Sequence, residues 1–456
     1  MTNLKLQINN IKKIYIISFV IYLLLSRSVL FVNIISLPIN SLIYNFFAIS
    51  GFLLLALDVL LNFTIFKSKD NIILLIFLGI CALSSLLNIS YGLTNNLKTL
   101  VWTSIQFFIL FSYVHIKDKT EVKNLINIIM KITCGVWFVA VAISLFQFIF
   151  QIHYRAPFAE FSRRQGFVDS RLFGIFSDPN FAAVTSLLVI VFCYILLKDC
   201  NNKLTKKYYV TNIIFQILYV ILSGSRTAKV EGVMLAFILV YFVDRNQKYS
   251  LSMTRVKRKA FVKGVLAALI SLLLINVLPT PLLKIAEVGN NIKISIFGEE
   301  DNDKDDDSLT LERDDVSEED LSNNRSDIWK SSLEISAQKR LLGLSPRNMV
   351  PYATTVFPDS YIAQTGYETH NGYLAVFVGT GIIGFLVMLA LAIKVVYHVC
   401  MYVKTHRRQV YDSYLILFFC CIFVIAVSTF MLLDIFFVNT YSAAIFWLFL
   451  GNFYIY

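Results

Sequence analysis

A short turn inside an apolar stretch carries an arginine whose chemistry calls for an anionic partner. Residues 221–242 read ILSGSRTAKVEGVMLAFILVYF, in which Arg226, Lys229 and Glu231 interrupt two apolar segments. A guanidinium group is a planar fork that matches the geometry of phosphate, whereas a lysine ammonium is a point charge. Arg226 is therefore a candidate phosphate ligand; pairing with a carboxylate or with lipid headgroups is the alternative interpretation.

More arginines lie in the connecting segments that the charge pattern described below assigns to the external face. External segments are normally poor in basic residues, so arginines there favour an anionic ligand such as a lipid-borne phosphate. Further candidates for phosphate or glycan contact are Arg155, Arg163, Arg164, Arg171, Arg325 and Arg347. For each of these loop arginines, pairing within the protein or with headgroups remains the alternative.

A histidine precedes a predicted apolar helix in the stretch TGYETHNGYL. His370 is a candidate general base, because a neutral imidazole can accept a hydroxyl proton near pH 7. Its neighbours Tyr367 and Asn371 are candidate substrate contacts, and the tyrosine ring could stack on a sugar. No His or Cys pair has the spacing of a metal site. We therefore expect no metal and no cofactor.

The composition requires that membrane helices position these residues. Hydrophobic residues make up 57% of the 456-residue chain, charged residues 16%, and apolar runs long enough to span a bilayer recur along its length. The sequence predicts an all-α polytopic membrane protein with about twelve transmembrane helices. Their predicted bounds are 14–33, 40–66, 70–90, 97–115, 125–151, 179–197, 208–223, 229–243, 262–279, 371–399, 411–432 and 438–455.

Charge in the loops predicts the orientation of this bundle. Lysine and arginine concentrate before helix 1 and after helices 2, 4, 6, 8 and 10, which all fall on one face. Basic loops mark the cytoplasmic side. Both termini are therefore expected in the cytoplasm, and the arginine-bearing segments on the external face.

The predicted layout has three parts. Residues 1–279 hold helices 1–9, residues 280–370 form one large external loop, and residues 371–456 hold helices 10–12. The loop includes an acidic insert at 299–320 with thirteen acidic and two basic residues, so the rest of the chain carries a net charge of about +22. The insert favours a solvated linker over a calcium site, since it lacks the EF-hand ligand pattern. A short helix is predicted near 326–341, with Asn324 or Ser326 as its cap.

Four motifs together resemble the O-antigen polymerase and ligase superfamily of bacterial membrane glycosyltransferases. They are RLFGIFSDPNFAA at 171–183, GSRTA at 224–228, NNRSDIW at 323–329, and HNGYL at 370–374 followed by GTGIIG at 379–384. The resemblance covers roughly 165–390, and the acidic insert departs from the family pattern. It implies a GT-C-like bundle with a large external loop and a metal-independent enzyme that uses polyprenyl-pyrophosphate-linked glycans.

The family's functional residues correspond to Arg226, Arg325 and His370. The resemblance implies that the arginines hold the donor pyrophosphate and that the histidine serves the acceptor hydroxyl. Preorganised guanidinium groups can neutralise a developing pyrophosphate charge in place of a metal. Asp178 is interpreted as the cap of a helix rather than as a catalytic group, and Asp58 as paired inside the bundle.

The leading hypothesis is a polysaccharide polymerase for O-antigen or capsule repeat units in the bacterial cytoplasmic (inner) membrane, with its site on the periplasmic face. Its donor and acceptor would be undecaprenyl-pyrophosphate-linked oligosaccharides. Membrane lipids, a chain-length regulator and a flippase are the other expected partners; nucleic acid is not. The alternatives are an O-antigen ligase with a different acceptor and a lipid-linked oligosaccharide transporter. A transporter should show paired repeats with broken helices, and no such repeat is visible in the sequence.

Overall fold

A computed structural model describes residues 2–62, 66, 68–116, 119–156, 162–247, 253–298, 310–311, 324–406 and 411–453. Apart from one small hairpin, the described chain is helical. The helices are α1 (Thr2–Leu25), α2 (Leu37–Asn62), α3 (Lys69–Leu87), α4 (Thr94–Ile105), α5 (Lys119–Ile149), α6 (Pro179–Lys198), α7 (Lys203–Leu222), α8 (Arg226–Gln247), α9 (Met253–Val277), α10 (Pro279–Phe297), α11 (Arg325–Ser336), α12 (Met349–Val356), α13 (Tyr361–Thr365), α14 (Gly372–Thr405), α15 (Ser413–Met431) and α16 (Tyr441–Phe453).

The chain has the helices of a polytopic membrane protein. Eight helical segments in the described ranges are long and apolar enough to cross a bilayer, with α9 and α10 counted as one. Each of the twelve predicted segments contains a helix, but α4, α7, α8 and α16 are too short or too polar to meet the same criterion. The all-α class is as predicted. Twelve crossings and cytoplasmic termini stay predictions.

Two predicted helices differ from the observed ones in ways that matter for the site. Helix 1 was expected to run to residue 33, but α1 ends at Leu25. The next residues pair with the segment before α6: the Val29 N–H donates to the Ile175 carbonyl at 2.7 Å, and the Ser177 N–H donates to the Arg27 carbonyl at 2.8 Å. These long-range hydrogen bonds end the helix although the sequence there remains apolar.

The second difference is a break in α14, which was expected to be continuous. Gly381 has a φ of 65° inside the helix. Segment 340–346 lies against the break: the Leu344 N–H donates to the Val378 carbonyl and the Ile382 N–H to the Arg340 carbonyl, both at 2.8 Å. A Cβ on Gly343 would lie 2.5 Å from the Gly381 nitrogen, so this approach requires glycine. The GTGIIG stretch thus packs closely, as predicted, but against a loop.

The large loop is more helical than predicted. It holds α10, α12 and α13 besides α11, which corresponds to the short helix expected near 326–341. Asn324 precedes α11 in a left-handed conformation and makes no side-chain cap, and Ser326 lies inside the helix, so neither cap assignment is confirmed. Apart from Thr310 and Leu311, the acidic insert at 299–320 lies outside the described residues.

One polar feature of the bundle is as predicted. Asp58 is fully buried in α2 and pairs with Lys12 of α1 at 2.8 Å. Pairing is what makes a buried charge tolerable in an apolar bundle. All seven cysteines are free thiols.

Candidate arginine and histidine site

The turn between α7 and α8 places Arg226 at the first position of a helix. Gly224 adopts a φ of 67°, a left-handed conformation that glycine reaches without strain. The Ser225 hydroxyl accepts from the Ala228 N–H at 3.4 Å, the hydrogen bond of a serine cap. Arg226 follows at the helix start, where free backbone N–H groups favour an anion.

The buried side chain of Arg171 stabilises this turn by a hydrogen bond. It lies in the hairpin of β1 (Gly166–Val168) and β2 (Arg171–Gly174), and only 6% of its surface is exposed. Its Nε donates to the Ser223 carbonyl at 3.0 Å, and its Nη2 donates to Asn180 Oδ1 at 2.7 Å. A Cβ on Gly224 would lie 2.9 Å from Arg171 Cγ. Arg171 therefore links the start of α6 to the α7–α8 turn.

Arg226 differs from Arg171 in its hydrogen bonding. Its side chain is half-buried, and within the described part of the chain it makes no hydrogen bond or ion pair. Glu231, the acid in the same stretch, is fully buried and accepts a hydrogen bond from the Ser428 hydroxyl at 2.6 Å. Arg226 and Glu231 thus have separate surroundings, and the Arg226 guanidinium is available to a ligand.

His370 is held by its neighbours rather than by bonds to its own ring. Trp329 Nε1 of α11 donates to the Thr369 carbonyl at 3.1 Å, and Asn371 Oδ1 caps α14 by accepting from Tyr373 and Leu374 N–H groups, each at 3.0 Å. Between these two anchors His370 has a φ of 47°. Its imidazole packs edge-on against Tyr367 at 5.9 Å and makes no hydrogen bond to any described residue.

The charges of Arg325 and Asp178 act electrostatically on the His370 imidazole. The residue is exposed, and neighbouring atoms still desolvate its ring in part. This desolvation, and next the positive charge of Arg325, hold the pKa of His370 below 6.5, while Asp178 acts in the opposite direction. The starts of α11 and α6 therefore lie within electrostatic range of His370, just before α14. Asp178 itself caps α6, as predicted, accepting from the Asn180 N–H at 2.8 Å.

Arg347 is bound firmly within the protein. Its Nε donates to Thr99 Oγ1 at 3.3 Å, and its Nη2 donates to the Phe437 carbonyl at 2.9 Å. Its Nη1 lies 3.7 Å from Glu368 Oε1, two residues before His370. These contacts tie the loop of His370 to α4 and to the loop before α16.

The remaining predicted arginines form a separate group around the hairpin turn. Arg155 and Arg164 both pair with Asp169, the former at 2.8 Å. Arg163 Nε donates to Asn33 Oδ1 at 3.2 Å. No described contact joins this group to His370, so protein pairing, the alternative interpretation from sequence, describes these three residues in the ligand-free chain.

One residue of the site was missed from sequence. Arg27 was assigned to the interior of helix 1, but the early end of α1 places it beside the start of α6. Its guanidinium carbon lies 4.9 Å from the centroid of the Phe181 ring. With Asp178, Thr440 and Ser442 it lines a cavity of about 20 Å³, the space of about one water. The charge of Arg27 inside an apparent membrane span was the signal in the sequence that could have identified it.

The arrangement offers guanidinium groups and an imidazole with a lowered pKa at one end of the bundle. Such a site can bind an anionic leaving group and accept a proton. Within the described ranges, no group of three or more His, Cys, Asp or Glu residues could hold a metal ion.

Comparison with known proteins agrees with the sequence motifs. Residues 211–389 match the family model described as O-antigen ligase. The match includes Arg226, Arg325, Arg347 and His370 and leaves out Arg27 and the hairpin. No curated protein matches the chain at a significant level. The match over residues 211–389 supports the O-antigen polymerase and ligase superfamily that the sequence motifs indicate.

Proposed function

We propose that the protein is a polysaccharide polymerase of the bacterial cytoplasmic membrane. It transfers a growing glycan from undecaprenyl pyrophosphate to another lipid-linked repeat unit, on the external face. One observation carries the proposal: Arg226 opens α8 with no protein partner in the described chain, within the family-matched segment. An arginine kept available at a helix start is suited to a phosphate-bearing ligand.

The reaction needs a leaving group and a base, and no redox partner. The acceptor hydroxyl oxygen attacks the anomeric carbon of the donor sugar, and its proton passes to His370 Nε2 or Nδ1. The bond from that carbon to the pyrophosphate oxygen breaks, and the lipid pyrophosphate leaves with the electron pair. Arg226 and Arg325 neutralise the charge that develops on it, in place of a divalent metal.

The other residues divide into supports and substrate contacts. Arg171, Arg347 and Asn371 hold the α7–α8 turn, the His370 loop and the start of α14, so their role in binding is mainly indirect. Tyr367, beside the imidazole, is proposed to contact the acceptor sugar. Arg155, Arg163 and Arg164 are proposed glycan contacts farther along the hairpin.

A ligase reaction uses the same donor chemistry and is the alternative. The test supplies purified protein in lipid nanodiscs with one synthetic undecaprenyl-pyrophosphate-linked repeat unit, with or without a lipid A core acceptor. A polymerase gives a ladder of lengths from the repeat unit alone. A ligase gives product only with the core acceptor. Translocation of the lipid-linked unit without any new glycosidic bond would identify a transporter and would refute both transfer reactions.

A further inference from the structure

We infer that Arg27, just after α1, is a further arginine of the lipid-pyrophosphate site, beside Arg226 and Arg325, and distinguishes a diphosphate from a monophosphate. This inference rests on the proposed function, since it adds a residue to the same site. It concerns a part of the chain outside the family-matched segment 211–389.

The backbone holds Arg27 at the site. The residues after α1 pair with the stretch before α6 through the Val29–Ile175 and Arg27–Ser177 hydrogen bonds, and Ser28 forms a bridge with Phe176. The position of Arg27 is therefore fixed relative to the start of α6, which also carries Asp178.

Among the described residues, no carboxylate pairs with the Arg27 guanidinium. Within the described ranges the guanidinium of Arg27 makes no hydrogen bond or ion pair, although Asp178 lines the same cavity. Asp178 is already engaged as the cap of α6. The contact of Arg27 with the Phe181 ring orients the guanidinium and leaves its five N–H donors unused.

The surroundings connect Arg27 to the rest of the site. Asp178, its neighbour in the cavity, also acts electrostatically on His370. On the other side, Arg27 and Arg347 both lie within electrostatic reach of Tyr44, whose hydroxyl accepts a hydrogen bond from Asn439 Nδ2 at 3.0 Å. Thr440 and Ser442 line the same cavity, so Arg27 lies beside the start of α16 as well as the start of α6.

Comparison with Arg171 and Arg347 makes Arg27 the better choice for a further ligand. Arg171 and Arg347 each donate two side-chain hydrogen bonds to protein acceptors, which hold them as supports and leave fewer N–H donors for a ligand. Arg27 and Arg226 make no such hydrogen bond to a described residue. A diphosphate carries two anionic groups, and two available guanidinium groups can contact both.

The test measures affinity rather than turnover. Purified full-length protein in nanodiscs is titrated with undecaprenyl diphosphate and with undecaprenyl monophosphate, neither carrying sugar. Wild type is expected to prefer the diphosphate. Arg27→Gln should lose about tenfold to hundredfold of diphosphate affinity, the worth of a charge-assisted hydrogen bond, with little change for the monophosphate. Arg27→Lys, which keeps the charge and the stem over Phe181, should fall in between.

The ratio of the two affinities does not depend on the folded fraction, so a partly misfolded variant still gives an answer. Arg340→Gln is the matched control, because the Arg340 side chain is exposed and, among the described residues, donates only to the Ala337 carbonyl of its own turn. If Arg27→Gln keeps the wild-type preference for the diphosphate, or loses affinity equally for both lipids, the role of Arg27 is overturned and the proposed function is not. A wild type without preference would overturn the proposed function as well.

Discussion

His370 occupies a backbone conformation that restricts which substitutions are informative. Its φ of 47° lies in the left-handed region, which asparagine tolerates well and alanine does not. The cap of α14 is Asn371, so His370 is not needed to cap the helix. Replacement of His370 by asparagine therefore removes the base while preserving the backbone, and alanine adds strain.

We predict that His370→Asn lowers glycan transfer by about 10²–10⁴, the usual contribution of a positioned general base. Binding of the donor lipid should stay close to wild type, because the arginines are unchanged. Transfer rate and donor affinity are measured on the same purified sample. His370→Ala should lose transfer and some thermal stability together. Wild-type turnover in the asparagine variant would exclude the base.

The pH dependence provides a second test at the same residue. Desolvation and the charge of Arg325 hold the pKa of His370 below its ordinary value, so the acid limb of kcat/KM should lie at lower pH than for an unperturbed imidazole. Arg325→Gln removes a positive neighbour, so the acid limb should move to higher pH. Asp178→Asn keeps the cap but removes a negative charge, so the limb should move lower. Limbs that do not move in opposite directions would contradict the assignment.

At the level of the elements, the α7–α8 turn depends on one glycine. A side chain at Gly224 meets both an unfavourable φ and the Arg171 side chain at 2.9 Å. Gly298, at the end of α10, has a similar φ of 79° but nothing within 4 Å of its Cβ position. Comparing an alanine at each of the two glycines therefore distinguishes the effect of backbone strain from the effect of displacing the Arg171 side chain.

We predict that Gly224→Ala loses most transfer activity, whereas Gly298→Ala keeps it. A positive φ strains alanine at either position. Thermal unfolding and transfer are compared for both variants. Equal losses of activity would mean that the Arg171 contact does not position Arg226.

The sequence predicted those elements whose signals are local. Asp178 before Pro179 marks a cap, and the position of Arg325 at a helix start follows from the pattern after it. The end of α1 and the break in α14 could not be predicted in this way. Hydrogen bonds from Val29 to Ile175 and from Leu344 to Val378 create them, and hydropathy along the chain carries no trace of such distant partners.

At the scale of the whole molecule, one end of the bundle collects the available guanidinium groups, and no described cluster of ligands suits a metal. We predict that transfer by the purified protein continues in excess EDTA, because arginines supply the neutralising charge. Turnover with and without chelator is the measurement. Loss of turnover that one added divalent metal restores would reveal a metal site.

Packing between distant segments explains why the sequence predicted only part of the candidate site. Arg226, Arg325 and His370 stood out because each departs from the charge or polarity expected at its position. Arg27 departs as well, but it was hidden by the apolar residues on both sides of it. Only the packing of the segment after α1 against the segment before α6 shows that it leaves the span.

The most direct measurement of the central claim is the transfer rate of Arg226→Lys in reconstituted protein, with Arg340→Lys as control. The lysine keeps the charge but not the planar fork that suits a pyrophosphate. With synthetic undecaprenyl-pyrophosphate-linked repeat units, we expect Arg226→Lys to remain folded and to lose about 10²–10³ in kcat, the range measured for a lost transition-state donor. Arg340→Lys should match wild type. Polymer of normal length and yield from Arg226→Lys would contradict the account.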